Sequence, residues 1–165
     1  MHHQPDGAAF DIVLLLHVAC VVVGVVTTAT AAATATRLRR LLGTPVPLPD
    51  TLRRYFRSGA NWAGRTVYGI PIFGFALVAM SQGAYALGQG WVLGGLALFA
   101  GVALVGEGVL WPAEQRLQVA LAPETGDAGD PADSALERDA TLMARAAVTG
   151  LVLLIAGTVL MVAQP

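Results

Sequence analysis

His17 stands inside the run Leu14-Leu15-Leu16-His17-Val18-Ala19, about two helical turns from where that run begins. An ionisable side chain in apolar surroundings costs free energy to bury, so it marks a place where chemistry or a specific bond is expected. A neutral imidazole is a ligand for haem iron, zinc or copper when other ligands converge on it. Met80, in the second apolar run, falls at a similar depth, so His17 and Met80 form one candidate cofactor-binding pair. The simpler reading is a neutral His17 bonded to a hydroxyl, amide or carbonyl such as those of Ser81, Gln82 or Thr158. A third is contact with a partner or a quinone-like ligand. Glu107 is the other ionisable group well inside an apolar run, near the opposite end of the bilayer from His17. That gap excludes a direct proton relay between the two. Glu107 is read as structural, pairing with Arg65 or Arg145, with a proton or cation role as the alternative. The lone Cys20 forms no intrachain disulfide and is read as a small core residue, while His2 and His3 belong to an exposed leader.

These groups sit on four apolar runs, residues 10–36, 66–87, 91–111 and 141–163. Each is close to or above the roughly 20 residues that cross a hydrocarbon core of about 30 Å as a helix. All 10 basic residues are arginines. Arg37, Arg39, Arg40, Arg53, Arg54, Arg57 and Arg65 fall between the first and second runs, and Arg116, Arg138 and Arg145 between or at the edges of the third and fourth. By the positive-inside bias, segments 37–65 and 112–140 are cytoplasmic loops and both termini face outward. Charged residues make up only 13% of the chain, against about a quarter in a soluble globule, so residues 1–165 read as one small transmembrane domain. A net charge of −1 gives no pull toward nucleic acid. The leader before Phe10 lacks the basic residues of a secretory signal, so the first run is expected to stay in the mature chain.

The first helix is expected to start near Asp11 and to end at the arginine triplet, and its inner half, 27–36, is almost wholly Ala and Thr. Small residues of that kind let helix backbones approach closely in lipid, so this half should face protein. Pro45, Pro47 and Pro49 break the helix, after which Asp50 is placed to cap a short amphipathic segment, 51–58, lying on the cytoplasmic membrane surface. Trp62 and Trp111 suit the inner interface, Tyr85 and Trp91 the outer one. Pro71 predicts a kink or a late start in the second helix. Gly94, Gly101 and Gly108 repeat every seven residues along the third, and Gly150 and Gly157 do so in the fourth, giving smooth seams for another backbone. The acidic stretch 113–140, with Glu114, Glu124, Asp127, Asp130, Asp133, Glu137 and Asp139, has little to bury and is expected to be mobile without a partner.

Leu16-His17-Val18-Ala19 in the first helix, Trp111-Pro112-Ala113-Glu114-Gln115-Arg116-Leu117 closing the third and Leu160-Met161-Val162-Ala163-Gln164-Pro165 at the end together resemble a bacterial family of predicted integral membrane proteins of unknown function. The histidine in the first helix is also distantly similar to the copper-resistance D proteins and to haem-dependent protoporphyrinogen oxidase, whose membrane histidines serve as ligands. Only His17 carries over, because the second intramembrane histidine of those proteins has no counterpart here. The expected fold is an all-α membrane protein, an antiparallel four-helix transmembrane bundle with a short cytoplasmic interfacial helix. Its spans are rich in packing seams and poor in reactive groups, and no phosphate-cradling glycine loop follows a strand. The expected function is therefore a non-catalytic accessory or scaffold subunit of a larger bacterial inner-membrane complex, of respiratory type, with other membrane subunits and the bilayer as partners. No cofactor is expected under that reading. The alternative is a small haem- or copper-binding redox protein with His17 as ligand, haem b being the group such a site would hold.

Overall fold

In the computed structural model, residues 7–44, 46–57, 59, 61–122 and 131–163 are described, and every regular element among them is helical. They form α1 (Ala8–Leu41), the short α2 (Asp50–Tyr55), α3 (Trp62–Met80), α4 (Gly90–Ala120) and α5 (Pro131–Ala163). Four of these, all but α2, are long and apolar enough to cross a membrane. The chain has the all-helical membrane fold expected from its apolar runs.

The helices begin and end away from the limits of those runs. The first continues through the arginine triplet to Leu41. Arginine is a good helix former, and Arg39 and Arg40 in the last turn meet the negative end of the helix dipole. α4 passes Trp111 and Pro112 and ends at Ala120. Pro112 has no N–H for the carbonyl of Gly108, and its ring crowds that carbonyl. The chain widens into a π-helical turn over Gly106–Leu110, closed by a bond from the Trp111 N–H to the Gly106 carbonyl. α5 starts at Pro131, so much of the stretch 112–140 expected to be mobile is helix; Glu124, Asp127, Asp130 and the side chain of Asp133 lie outside the described residues.

α3 begins earlier than expected, at Trp62, and stops at Met80 rather than near Leu87. Asn61 caps its start, its side-chain oxygen accepting from the Gly64 N–H at 3.1 Å. Over Thr66–Tyr68, one turn before Pro71, the helix tightens to 3₁₀ geometry, with the Gly69 N–H bonded to the Thr66 carbonyl. This is the local distortion expected of Pro71, whose nitrogen cannot serve the carbonyl four residues back. Ser81 ends the helix: its buried hydroxyl donates to the Val78 carbonyl at 2.7 Å and accepts from the Tyr85 N–H at 3.1 Å. Gln82 and Gly83 then turn the chain with φ of 50° and 91°.

The chain divides into two compact units. In the first, segments 8–27, 61–102 and 152–163 pack around Val67, Ile70, Val102 and Leu154, with Cys20, Val21, Val25, Phe99 and Leu153 against them. Glycines set the spacing. A Cβ on Gly94 would lie 2.8 Å from Leu160 and one on Gly101 3.2 Å from Leu153, so that seam of α4 receives α5 of the same chain. A Cβ on Gly157 would come within 4.0 Å of Leu98.

The second unit, residues 28–59 with 103–122 and 131–151, packs around Leu38, Leu117 and Met143, all fully buried, filled in by Ala31, Ala35, Ala113, Ala140 and Ala147. The small half of α1 thus does face protein, and Gly150 sits near Thr28. Four expectations change here. Asp50 is the first residue of α2 and makes no capping bond. Leu52 and Phe56, which were to lie on the membrane surface, are buried in this core instead. Trp111, assigned to the interface, is buried against Gly106, and a Cβ on Gly108, assigned to the seam, would meet no described neighbour within 4 Å.

The tightest approach is between α1 and α3, where a Cβ on Gly69 would sit 2.5 Å from the Cys20 sulfur. Gly69→Ala is expected to destabilise the protein by about 1 to 3 kcal/mol through overpacking. Adding Cys20→Ala should recover most of that loss. Thermal unfolding of the four variants of the cycle in one detergent measures it, and equal losses with and without the sulfur would refute the contact.

A histidine-lined cavity as candidate functional site

His17 is placed by α1 facing α3, and it is 7% exposed. Its Nδ1 bonds to the carbonyl of Ile70 at 2.9 Å. A carbonyl only accepts, so Nδ1 carries the hydrogen and donates. Space for the ring comes from Gly74, one turn beyond Ile70, where a Cβ would stand 3.4 Å from the imidazole Cε1. A Cβ there would be in ordinary van der Waals contact with the ring. The partner is therefore a backbone carbonyl, the type of group expected, but on Ile70 rather than on Ser81, Gln82 or Thr158.

His17 also lines a cavity of about 490 Å³ within the first unit. That volume lies in the range of small-molecule pockets, roughly 300 to 1,000 Å³. Its walls are apolar, with Phe10, Phe75, Tyr85, Trp91 and Phe99 supplying rings and Tyr85 set edge-on to Trp91 at 5.7 Å. Thr158 adds a hydroxyl whose hydrogen is given to the Leu154 carbonyl at 2.8 Å. No charged side chain is among the described lining residues. Met161 lines the cavity beside His17, whereas Met80, the methionine singled out in the sequence, does not. The void and its wall from α5 were not visible in the sequence, because nothing in an apolar run marks which faces fail to close.

The other candidates lie elsewhere. Glu107 is exposed on the π-helical turn of α4, Arg145 is exposed on α5, and Arg65 is half-buried at the end of the first turn of α3. The second unit holds an ion pair that sequence reading did not name: Arg116 Nε donates to both carboxylate oxygens of the buried Asp139 at 3.1 Å. The two residues flank the acidic stretch in sequence, and helical ends on both sides bring them together. Nearby in the same unit, Tyr55 is half-buried with its hydroxyl fully enclosed and lacking a bond of ordinary geometry. Burial, then the neighbouring carboxylate of Glu114, holds the Tyr55 phenol well above the usual tyrosine range. Among the described residues no group of three or more His, Cys, Asp or Glu is arranged to hold a metal ion.

Four apolar helices long enough to span a bilayer, meeting through glycine and alanine, define a polytopic integral membrane protein. Over residues 11–165 the sequence matches the family described as predicted integral membrane protein (DUF2269), and the chain belongs to that family. No curated protein and no solved structure matches it.

The Tyr55 environment sets an alkaline limit. Because the folded chain holds the phenol proton more tightly than the unfolded one, stability from this group is complete below the ordinary tyrosine value near 10 and falls as pH rises past it. Unfolding measured between about pH 9 and pH 11 should show this decline, and Tyr55→Phe should flatten it without loss of stability at neutral pH. A Tyr55→Phe variant with the same alkaline slope would exclude Tyr55 as its source.

Proposed function

We propose that this protein is a non-catalytic membrane protein that holds an apolar organic molecule in the cavity beside His17. One observation carries the reading: a buried imidazole, braced through Nδ1 on Ile70, lines an apolar cavity of about 490 Å³ with no bond to its Nε2 among the described residues. A nitrogen lone pair left unbonded beside an apolar void of ligand size supports an occupant that completes it.

Haem b or copper at His17 is the rival occupant. The braced Nδ1 suits an axial ligand, since metal-bound histidines usually donate their other N–H to a carbonyl or carboxylate. The lining residues offer no cation for propionates and no second imidazole, and this favours an uncharged molecule. An accessory subunit of a respiratory-type complex, with other membrane subunits as partners, draws less support. The small-residue surfaces read as packing seams are used within the chain, Ala31, Ala32 and Ala35 in the second core and Gly94 and Gly101 against α5.

The setting we propose is a bacterial plasma membrane. Arg37, Arg39, Arg40, Arg53, Arg54 and Arg57 are all exposed, which suits a cytoplasmic location for that segment and places both termini outside.

Two measurements test this. Purified protein extracted into organic solvent should release an apolar organic molecule in near-equal amount, and Val18→Trp, which fills the cavity from α1, should abolish it. An intense visible absorption band lost in His17→Ala would instead establish haem. For orientation, a cysteine at Thr44 should resist a membrane-impermeant maleimide added to intact cells while one at Gly7 reacts; the reverse pattern would invert the topology.

A further inference from the structure

We infer that the molecule held beside His17 is an aryl alcohol, a lipid-borne phenol or hydroquinone whose hydroxyl donates to His17 Nε2. This rests on the reading of the cavity as a binding site and adds the chemical class of its occupant.

The hydrogen-bond polarity of the walls sets that class. Ile70 offers only a carbonyl oxygen, so the proton of a neutral His17 is on Nδ1 and Nε2 presents a bare lone pair. A second proton on Nε2 would place a full positive charge where no lining residue is a carboxylate, at high desolvation cost. Thr158, which lines the cavity from α5, has its hydrogen committed to the Leu154 carbonyl at 2.8 Å and offers lone pairs as well. Two helices thus present acceptors to the same space. A ligand whose only polar atoms are acceptors, such as a ketone, ether or quinone, would set lone pair against lone pair at His17, whereas an O–H group completes it. Tyr85, whose hydroxyl both donates and accepts, lines the cavity too and leaves the demand at Nε2 unchanged.

The rings and the size of the site point to the aryl part. Five aromatic side chains line the cavity, among them the edge-on pair Tyr85 and Trp91, and aromatic groups gain from edge and offset contacts with one another beyond their buried area. An apolar cavity of about 150 Å³ accommodates benzene, so about 490 Å³ accommodates a substituted ring with an alkyl chain.

The test uses the full chain in phosphatidylcholine nanodiscs and measures the saturable excess of a radiolabelled para-alkylphenol over protein-free discs. Its methyl ether, the matching alkyl benzoquinone and a straight-chain alcohol of equal length are the competitors. The phenol is expected to bind saturably, with the ether and the quinone weaker by about tenfold, the scale of one hydrogen bond, and the alcohol also weaker. His17→Phe, checked for helix content and monodispersity, should bring the phenol down to the level of the ether. The comparison of phenol with ether on the unsubstituted protein stands even if that variant does not fold. Ether or quinone binding as tightly as the phenol would overturn the donor assignment while leaving the cavity a binding site, and an alcohol as tight as the phenol would overturn the aryl assignment. Saturable binding of none of them would overturn the binding-site reading itself.

Discussion

A helix in hydrocarbon must satisfy its backbone from within, because no water is present to replace a missing bond. That constraint explains the local irregularities of this chain. Pro71 and Pro112 each remove a donor, and the loss is met by a change of helical pitch on the N-terminal side, tighter over Thr66–Tyr68 and wider over Gly106–Leu110. Neither proline ends its helix, as it often would in a water-exposed segment. Where α3 does end, the buried Ser81 hydroxyl serves both a carbonyl behind it and an N–H ahead of it, so the reversal toward α4 exposes fewer bare polar groups. Along the remaining helices Thr27, Thr36 and Thr158 return their hydroxyl hydrogens to carbonyls one turn back, which lets hydroxyl side chains sit among apolar ones.

With the backbone satisfied internally, contact between helices falls to shape, since lipid tails are as apolar as the side chains they would replace. The two units meet this differently. In the first, glycines admit the bulk of a neighbour: Gly69 the sulfur of Cys20, Gly74 the ring of His17, Gly94 and Gly101 the leucines of α5. In the second, alanines from α1, α4 and α5 surround a few large residues, Leu38, Leu117 and Met143, and the core extends to Leu52 and Phe56 of α2. That unit also holds the bond from Arg116 to Asp139, where the long side chain stays half exposed while the carboxylate is buried.

The apolar runs made the membrane helices legible, because length and hydropathy are summed over many residues and tolerate local error. Their ends were not, because arginine, proline and acidic residues each carry a boundary signal that helix continuity outweighed at Arg37 to Arg40, at Pro112 and at Glu137 to Asp139. The Ala and Thr stretch of α1 was rightly read as protein-facing, and Ala31, Ala32 and Ala35 pack in the second core of this chain. His17 was legible as the informative polar residue because its cost in an apolar run is a property of the residue alone. Its partner was not, since every residue offers the same carbonyl and nothing in the sequence marks which one the imidazole reaches. Met80 was paired with His17 from depth alone. Depth fixes height along a helix but not the side of it, and the methionine that lines the cavity is Met161.

The backbone bond at Ile70 gives His17 its role, since it fixes Nδ1 as the protonated nitrogen of the neutral ring, and Gly74 packs beside that ring, where a Cβ would stand 3.4 Å from Cε1. Because it is fixed, the one strongly polar atom presented to the cavity is a lone pair of known direction of demand. A lone pair takes either a proton donor or a metal, and the surroundings decide between them. Coordination is favoured by further ligands, by nearby charge to balance the ion, or by both; the described lining supplies aromatic rings with the Tyr85 hydroxyl and the Trp91 indole N–H, one threonine lone pair and a thioether, with no charged group. Hydrogen bonding to a neutral hydroxyl needs none of those supports, and the apolar walls strengthen it by lowering the local dielectric. The bond from Nδ1 to Ile70 therefore sets the lone pair that the site presents, and the described lining, which carries no charge, favours hydrogen bonding over coordination.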